Sequence, residues 1–177
     1  VDVGAGTSDI SITRDEAIIA YGMIPSAGDE LTEVIAKHYL TDFAEAEKIK
    51  FAAGEKGTIE FTDIMGLSQK TSPEEVTELI KPTVLSMTRE ISDRIKQLNG
   101  GRPVSAVFVV GGGGKVPLFT QSLASEMGIA PERVAIRGEE VLKAIDFEAE
   151  GIRKDSLLVT PVGICLNFYN QKNNFIF

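Results

Sequence analysis

Four glycines in a row, Gly111–Gly114, stand between the apolar run Val104–Val110 and the segment that opens Lys115-Val116-Pro117. No other stretch of the 177 residues restricts the fold as strongly. Val104–Val110 is nearly continuous in β-branched and apolar residues, as expected of a strand buried on both faces. A strand that ends in bare backbone and enters a helix offers its N–H groups to a flat ligand, because no Cβ keeps the ligand away. The loop does not follow G-x-G-x-x-G with an acidic residue downstream, nor the phosphate loop that ends in Gly-Lys-Ser/Thr. Taken alone, it leaves a flexible strand-to-helix connection open as the lesser reading.

A second glycine loop sits at the start, in Asp2-Val3-Gly4-Ala5-Gly6-Thr7-Ser8-Asp9. A strand running into these residues lets consecutive N–H groups converge on one concavity of phosphate size. Asp2 at the strand end and Asp9 across the turn could hold a hydrated Mg²⁺ or orient a water. The same residues also suit a plain hairpin with acidic turn formers.

Composition narrows the partners. The chain is 43% hydrophobic and 25% charged, with net charge −8 and pI near 4.8. That profile fits a globular domain and argues against nucleic acid or an anionic membrane, both of which need clustered Lys and Arg. Backbone N–H groups can still hold a phosphate. One cysteine, Cys165, and one histidine, His38, exclude an internal disulfide and a Cys/His zinc cluster. They favour a reducing, cytoplasmic setting. No signal peptide is visible, and no apolar run reaches the roughly 20 residues of a membrane span. The chain opens inside a strand without an initiator Met, so it is read as a fragment of a longer protein.

Hydrophobic spacing supplies the order of elements. Val1–Val3 ends a strand, and Ile10, Ile12 and Ala17–Tyr21 mark two more, joined by the turn Arg14-Asp15-Glu16. Leu31, Ile35 and Tyr39 recur at a helical interval, and Phe43–Phe51 is a second short helix. After the turn Gly54–Gly57, Thr58–Ile64 alternates like a strand. Ser72-Pro73-Glu74-Glu75 reads as a helix start with Ser72 as N-cap and Glu75 at N3. Pro82 predicts a break near Lys81, with a longer helix restarting there on the stripe Val84, Met87, Ile91, Ile95 and Leu98. Asn99-Gly100-Gly101 ends it. A helix over about Pro117–Met127, a strand Val134–Ile136, a helical turn Val141–Ile145, a buried helix Leu157–Phe168, a polar turn Asn170–Asn174 and a strand Phe175–Phe177 follow. Met65 and Met87 read as core, and Cys165 as a small packed apolar residue. The pattern predicts an α/β lobe made of residues 1–52 and 103–177, with a smaller inserted α+β lobe at 53–102.

The two glycine loops, in this order, resemble the phosphate-2 and adenosine motifs of the actin, DnaK-chaperone and FtsA/MreB superfamily. Three further segments match. Ala27-Gly28-Asp29-Glu30-Leu31-Thr32 is similar to the glycine segment at the nucleotide-facing helix start. Glu47-Lys48-Ile49-Lys50 resembles the Glu-x-x-Lys of bacterial actins, and Thr160-Pro161-Val162-Gly163 the connect-2 segment. The resemblance runs over essentially the whole chain, and the short inserted lobe looks most like FtsA-like and MreB-like proteins.

The resemblance implies a ribonuclease-H-like mixed sheet with helices, one half of an actin-like ATPase core, with ATP or ADP and Mg²⁺ as cofactors. It implies that Gly4, Ala5, Gly6 and Thr7 contact the β- and γ-phosphates. Asp2 would reach Mg²⁺ through water, and Asp9 would lie near the attacking water. Gly28, Glu47 and Lys50 would flank sugar and base, with Gly111, Gly112, Gly113 and Lys115 along the adenosine. Ala5 stands where the family has a glycine, which requires that this residue not adopt a positive φ. Gly113 stands where chaperones carry Ser, which removes one hydrogen bond to the base. The family's phosphate-1 loop and connect-1 helix have no counterpart here, so the missing first half is the expected partner, with self-association or division and shape proteins beyond it. The resulting expectation is the ATP-binding half of an FtsA-like cell-division or cell-shape protein. A DnaK-like chaperone or reactivating factor, and a scaffold of the same fold that acts through partner contacts, are the alternatives.

Overall fold

The computed structural model describes residues 1–15, 17–138, 142 and 158–174, with residues 167–174 described by backbone alone. Its strands are β1 (Asp2–Val3), β2 (Ser8–Arg14), β3 (Ala17–Ile24), β4 (Ile59–Thr62), β5 (Ser68–Thr71), β6 (Val107–Val109) and β7 (Val134–Ile136). Its helices are α1 (Gly28–Tyr39), α2 (Phe43–Ala52), α3 (Pro73–Leu98), α4 (Phe119–Met127) and α5 (Val159–Asn174). The expected helical turn at Val141–Ile145 and strand at Phe175–Phe177 lie outside the described residues, apart from Leu142.

β1, β2 and β3 form an antiparallel meander, with Asp2 opposite Asp9 and Asp9 opposite Met23. β6 and β7 pair in parallel. A parallel bridge between Asp2 and Val110 joins the two groups, so the strand order is β3-β2-β1-β6-β7. The mixed sheet arises because the chain returns by hairpins at first, and later only through crossovers that contain helices. One face of it is covered. Val3, Ile10, Ile12, Ile24, Val107 and Val109 point there and are buried against residues of α1, α3 and α4.

The opposite face is open. The register places Asp9, Tyr21, Met23 and Phe108 on it, and Tyr21 and Phe108 are 62% and 58% exposed. Val104–Val110 was expected to be buried on both faces. Phe108 corrects this, because no described helix lies over its side of the sheet. The last helix departs in the same way. It runs on to Asn174 through the expected polar turn, and Ile164 and Cys165 on it are exposed, since among the described residues no element covers that side.

Helix α3 begins as its sequence predicts. Ser72 accepts from the Glu75 N–H, and the Glu75 carboxylate accepts from the Ser72 N–H. The break at Pro82 does not occur, and a single helix continues to Leu98. Pro82 lies on the exposed side, where water can serve the carbonyl it leaves unpaired. Val76, Ile80, Val84, Met87, Ile91 and Ile95 are buried along the other side, and their packing holds the helix together past the proline. Pro82→Ala is therefore expected to stabilise the protein by about 1–3 kcal/mol, since an interior proline costs roughly 3 kcal/mol against alanine. Urea unfolding reads the change directly; equal midpoints would mean that the proline is already free of cost.

β4 pairs with β5 and not with β6, so the hairpin is a small sheet of its own. Met65 sits at its tip, 77% exposed, and is not a core residue. The tip is shaped by Asp63, whose Oδ1 accepts from Met65 N–H (2.9 Å) and Leu67 N–H (3.0 Å), which turns the intervening side chains outward. α3 starts beside this hairpin and, although it lies wholly within residues 53–102, packs against β2, β3 and α4.

Candidate functional site

Three glycine-bearing segments meet at the carboxyl ends of β1 and β6. The Gly28 N–H donates to Gly4 O (3.0 Å) and the Asp29 N–H to Ala5 O (2.8 Å), which ties the start of α1 to the first loop. The Val3 N–H donates to Val110 O (2.9 Å), which ties the first loop to the second. Contact is too close for side chains. A Cβ on Gly111 would lie 2.4 Å from Val3 O, one on Gly113 2.5 Å from Val3 Cγ1, and one on Gly28 3.1 Å from Gly4 O. Gly111 also has φ +85°, a conformation that favours glycine. Ala5 is not among the positive-φ residues, so alanine is tolerated there. Among the described residues the Ala5 and Gly6 N–H groups have no acceptor, which leaves them available to an anion.

Above this junction opens a cavity of about 270 Å³. Its lining includes the predicted residues Asp2, Gly4, Ala5, Gly28, Glu47, Lys50 and Gly111–Gly113. Gly6, Thr7, Asp9 and Lys115 are not part of the lining. Gly6 and Thr7 lie in the exposed turn beyond Ala5, and Lys115 is exposed in a 3-10 turn. Asp9 lies on the open face of the sheet, where the Tyr21 hydroxyl donates to its Oδ1. That bond to a carboxylate holds the Tyr21 phenol above its ordinary pKa.

Three lining residues were not among those predicted: Asp29, Phe51 and Thr160. Asp29 follows Gly28 into the first turn of α1, where the helix dipole favours an acid. Thr160 opens the Thr-Pro-Val-Gly segment, and its hydroxyl donates to Asp2 Oδ2 at 2.6 Å. Both belong to matched segments, Ala27–Thr32 and Thr160–Gly163, although neither was named as a site residue. Phe51 carries no such signal, because one half-exposed aromatic at a helix end is ordinary.

One wall is built around a buried ammonium. Lys50 is only 4% exposed, and its Nζ donates to Thr32 Oγ1 (2.7 Å), to Gly28 O (3.1 Å) and to the Glu47 carboxylate. Thr32 donates to that same Glu47 oxygen. Glu47 and Lys50 are one helical turn apart in α2, so both side chains leave the same face toward α1. A charge this deep requires a paired acceptor, and the trio supplies one. Its effect is to pin α2 to the glycine start of α1 and fix the width of the cavity.

The wider kinship of this arrangement is direct. The sequence profile of Cell division protein FtsA matches residues 1–145. The chain belongs to the FtsA family. The FtsA of Pseudomonas aeruginosa (strain PAO1) is 28% identical over 145 residues, covering 77% of this chain and 35% of that protein. The FtsA of Neisseria meningitidis serogroup B (strain MC58) is 27% identical over 96 residues, covering 51% of this chain and 23% of that protein. The chain thus spans about a third or less of the length of the curated FtsA relatives it matches. Among solved structures, MreB 5 of Spiroplasma citri bound to AMPPNP superposes with TM-score 0.65 at 20% identity, over 98% of this chain and 53% of that one. The fold of this FtsA-family chain is that of the actin-like ATPases, as expected. Among its described residues no helix is long and apolar enough to cross a membrane, and no cluster of three or more His, Cys, Asp or Glu could hold a metal.

Proposed function

We propose that this chain is the ATP-holding second half of an FtsA-like ATPase core that serves cell division or cell shape. The observation that carries the reading is the convergence of Gly4-Ala5, Gly28 and Gly111–Gly113 on one cavity, where a side chain added at Gly111 would collide with the Val3 backbone, one at Gly113 with the Val3 side chain, and one at Gly28 would crowd Gly4 O. Bare backbone with available N–H groups beside Ala5 and Gly6 suits the phosphates of a nucleotide. Gly112, Gly113 and Phe51 line the same cavity, which suits a planar base, and Glu47, the least buried member of its trio, could accept from a sugar hydroxyl. The MreB 5 structure of the same fold is itself bound to AMPPNP.

The residues present also fit Mg²⁺, which keeps most of its waters and needs only one or two carboxylates beside the phosphates. Asp2 would face it, held in orientation by Thr160, and the ion would neutralise phosphate charge. Asp2 accepts the Thr160 hydroxyl through one oxygen and leaves the other for a bound water.

Gly112 provides the cleanest test. It lines the cavity with φ −68° and ψ −35°, values any residue adopts. In a protein carrying both halves of the core, Gly112→Val is expected to weaken ATP binding about a hundredfold, or about 2.7 kcal/mol. The far-ultraviolet spectrum and unfolding midpoint should stay unchanged. Calorimetry showing the same ATP affinity in both proteins would remove the adenosine role of this loop.

A further inference from the structure

Lys50 lines the cavity, yet its donors are already spent inside the protein. Nζ donates to Gly28 O (3.1 Å), to Thr32 Oγ1 (2.7 Å) and to Glu47 Oε1. An ammonium has three donors and no acceptor, so no hydrogen remains for a ligand. What Lys50 does in the site, it does through Glu47.

Thr32 completes the arrangement from the other helix. It is fully buried on α1, and its hydroxyl lies 3.2 Å from Gly28 O, the i−4 carbonyl that a helical threonine ordinarily bonds. Lys50 already serves that carbonyl, and a carboxylate is the stronger acceptor. The single hydroxyl hydrogen therefore goes to Glu47 Oε1. Two donors thus converge on one oxygen of Glu47. Lys50 shares α2 with Glu47 and moves with it. Thr32 is the donor that ties the carboxylate to α1, whose first residue, Gly28, is bonded to Gly4 of the first glycine loop. Among the described residues the other oxygen, Oε2, accepts from no donor. It belongs to a side chain that is 30% exposed and lines the cavity.

On the nucleotide reading proposed above, we infer that Thr32 is a positioning residue of this site. With Lys50 it holds Oε1 of Glu47, so that Oε2 accepts from a hydroxyl of the nucleotide sugar, and the pocket selects ribonucleotides over deoxyribonucleotides. A sugar carbon that carries hydrogen in place of the hydroxyl cannot donate. The deoxy nucleotide then leaves Oε2 covered and unpaired, which a site built to bond a hydroxyl tolerates poorly. Thr32, fully buried, acts only through Glu47.

The test compares ATP, 2′-deoxy-ATP and 3′-deoxy-ATP by calorimetry, with Mg²⁺, in a protein carrying both halves of the core. At least one deoxy analogue is expected to bind about tenfold or more weaker than ATP, as loss of a hydrogen bond to a charged group requires. Thr32→Val keeps the shape of the side chain and removes the hydroxyl. It should weaken ATP by about the same factor and leave that analogue unchanged, so that the preference disappears. Thr32→Ser keeps a hydroxyl and should restore it. An unchanged preference in Thr32→Val, or an equal loss for all three nucleotides as from a threonine that only supports the fold, would overturn the assignment. Tight and equal binding of all three by the unsubstituted protein would overturn it too, with no variant that has to fold, and would leave the ATP reading standing. Binding of none of the three would remove the ATP reading and this assignment with it.

Discussion

Gly111→Val is expected to cost about 3–5 kcal/mol of folding stability, a large part of the 5–15 kcal/mol typical of a domain. Two separate effects add. Gly111 has φ +85°, which a β-branched residue adopts only with strain of about 1–3 kcal/mol. Its Cβ would stand 2.4 Å from Val3 O and 2.8 Å from Val3 C, both backbone atoms of the central strand. Backbone cannot rotate aside as a flexible side chain would, so β1 must move from β6, and forced overpacking costs about 1–3 kcal/mol more. Gly112→Val, one position on, should cost less than about 1 kcal/mol, because its helical φ and ψ suit any residue. Urea unfolding of the two variants separates the cases. Similar losses at both positions would mean that the loop yields, and that its glycines are not needed for contact with β1.

Those neighbouring glycines show how far sequence could lead. That the loop follows a strand and precedes a helix was legible from the change of pattern at Gly111. Which glycine supports the fold and which faces the cavity was not, because this depends on Val3, more than a hundred residues away in the chain and adjacent in space. The capping residues of α3 were legible because their bonds are local, between Ser72 and Glu75. Pro82 misled for the complementary reason. A local rule predicts a break, whereas burial of Ile80 and Val84 on either side, a non-local effect, decides for one helix. β5 passed unnoticed because Ser68-Gln69-Lys70-Thr71 has no apolar alternation; it forms by backbone pairing with β4, and of its residues only Thr71 is buried. In the site, matched motifs brought together Asp2, Gly28, Glu47 and Lys50. The bond between Tyr21 and Asp9 has no sequence signature, and Asp9 lies outside the cavity lining.

The chain on its own is expected to show no ATP turnover above background. The proposed site has one wall, formed by the glycine loops, α1 and α2, around a cavity of about 270 Å³. Backbone N–H groups beside Ala5 and Gly6 could hold phosphate from one side. The far side of a γ-phosphate would face water, without opposing donors and without a surface to exclude solvent. Phosphoryl transfer relies on positioning and charge stabilisation from all around the transferred group. Losing even one well-placed donor typically costs about a hundredfold to a thousandfold in rate, and a whole wall supplies several. At about 1.4 kcal/mol per tenfold, the deficit places the rate beneath detection. Asp9 adds to it here, since Tyr21 occupies one of its oxygens and Asp9, although opposite Asp2 in the ladder, does not line the cavity. Joining the chain to the upstream half, covalently or as a separate polypeptide, should restore tight Mg²⁺-dependent ATP binding. Phosphate release from Mg-ATP, measured for the chain alone and then with the upstream half present, tests this. Steady release by the purified chain, lost in Asp9→Ala, would show that one wall is enough and that Asp9 reaches the nucleotide from the open face.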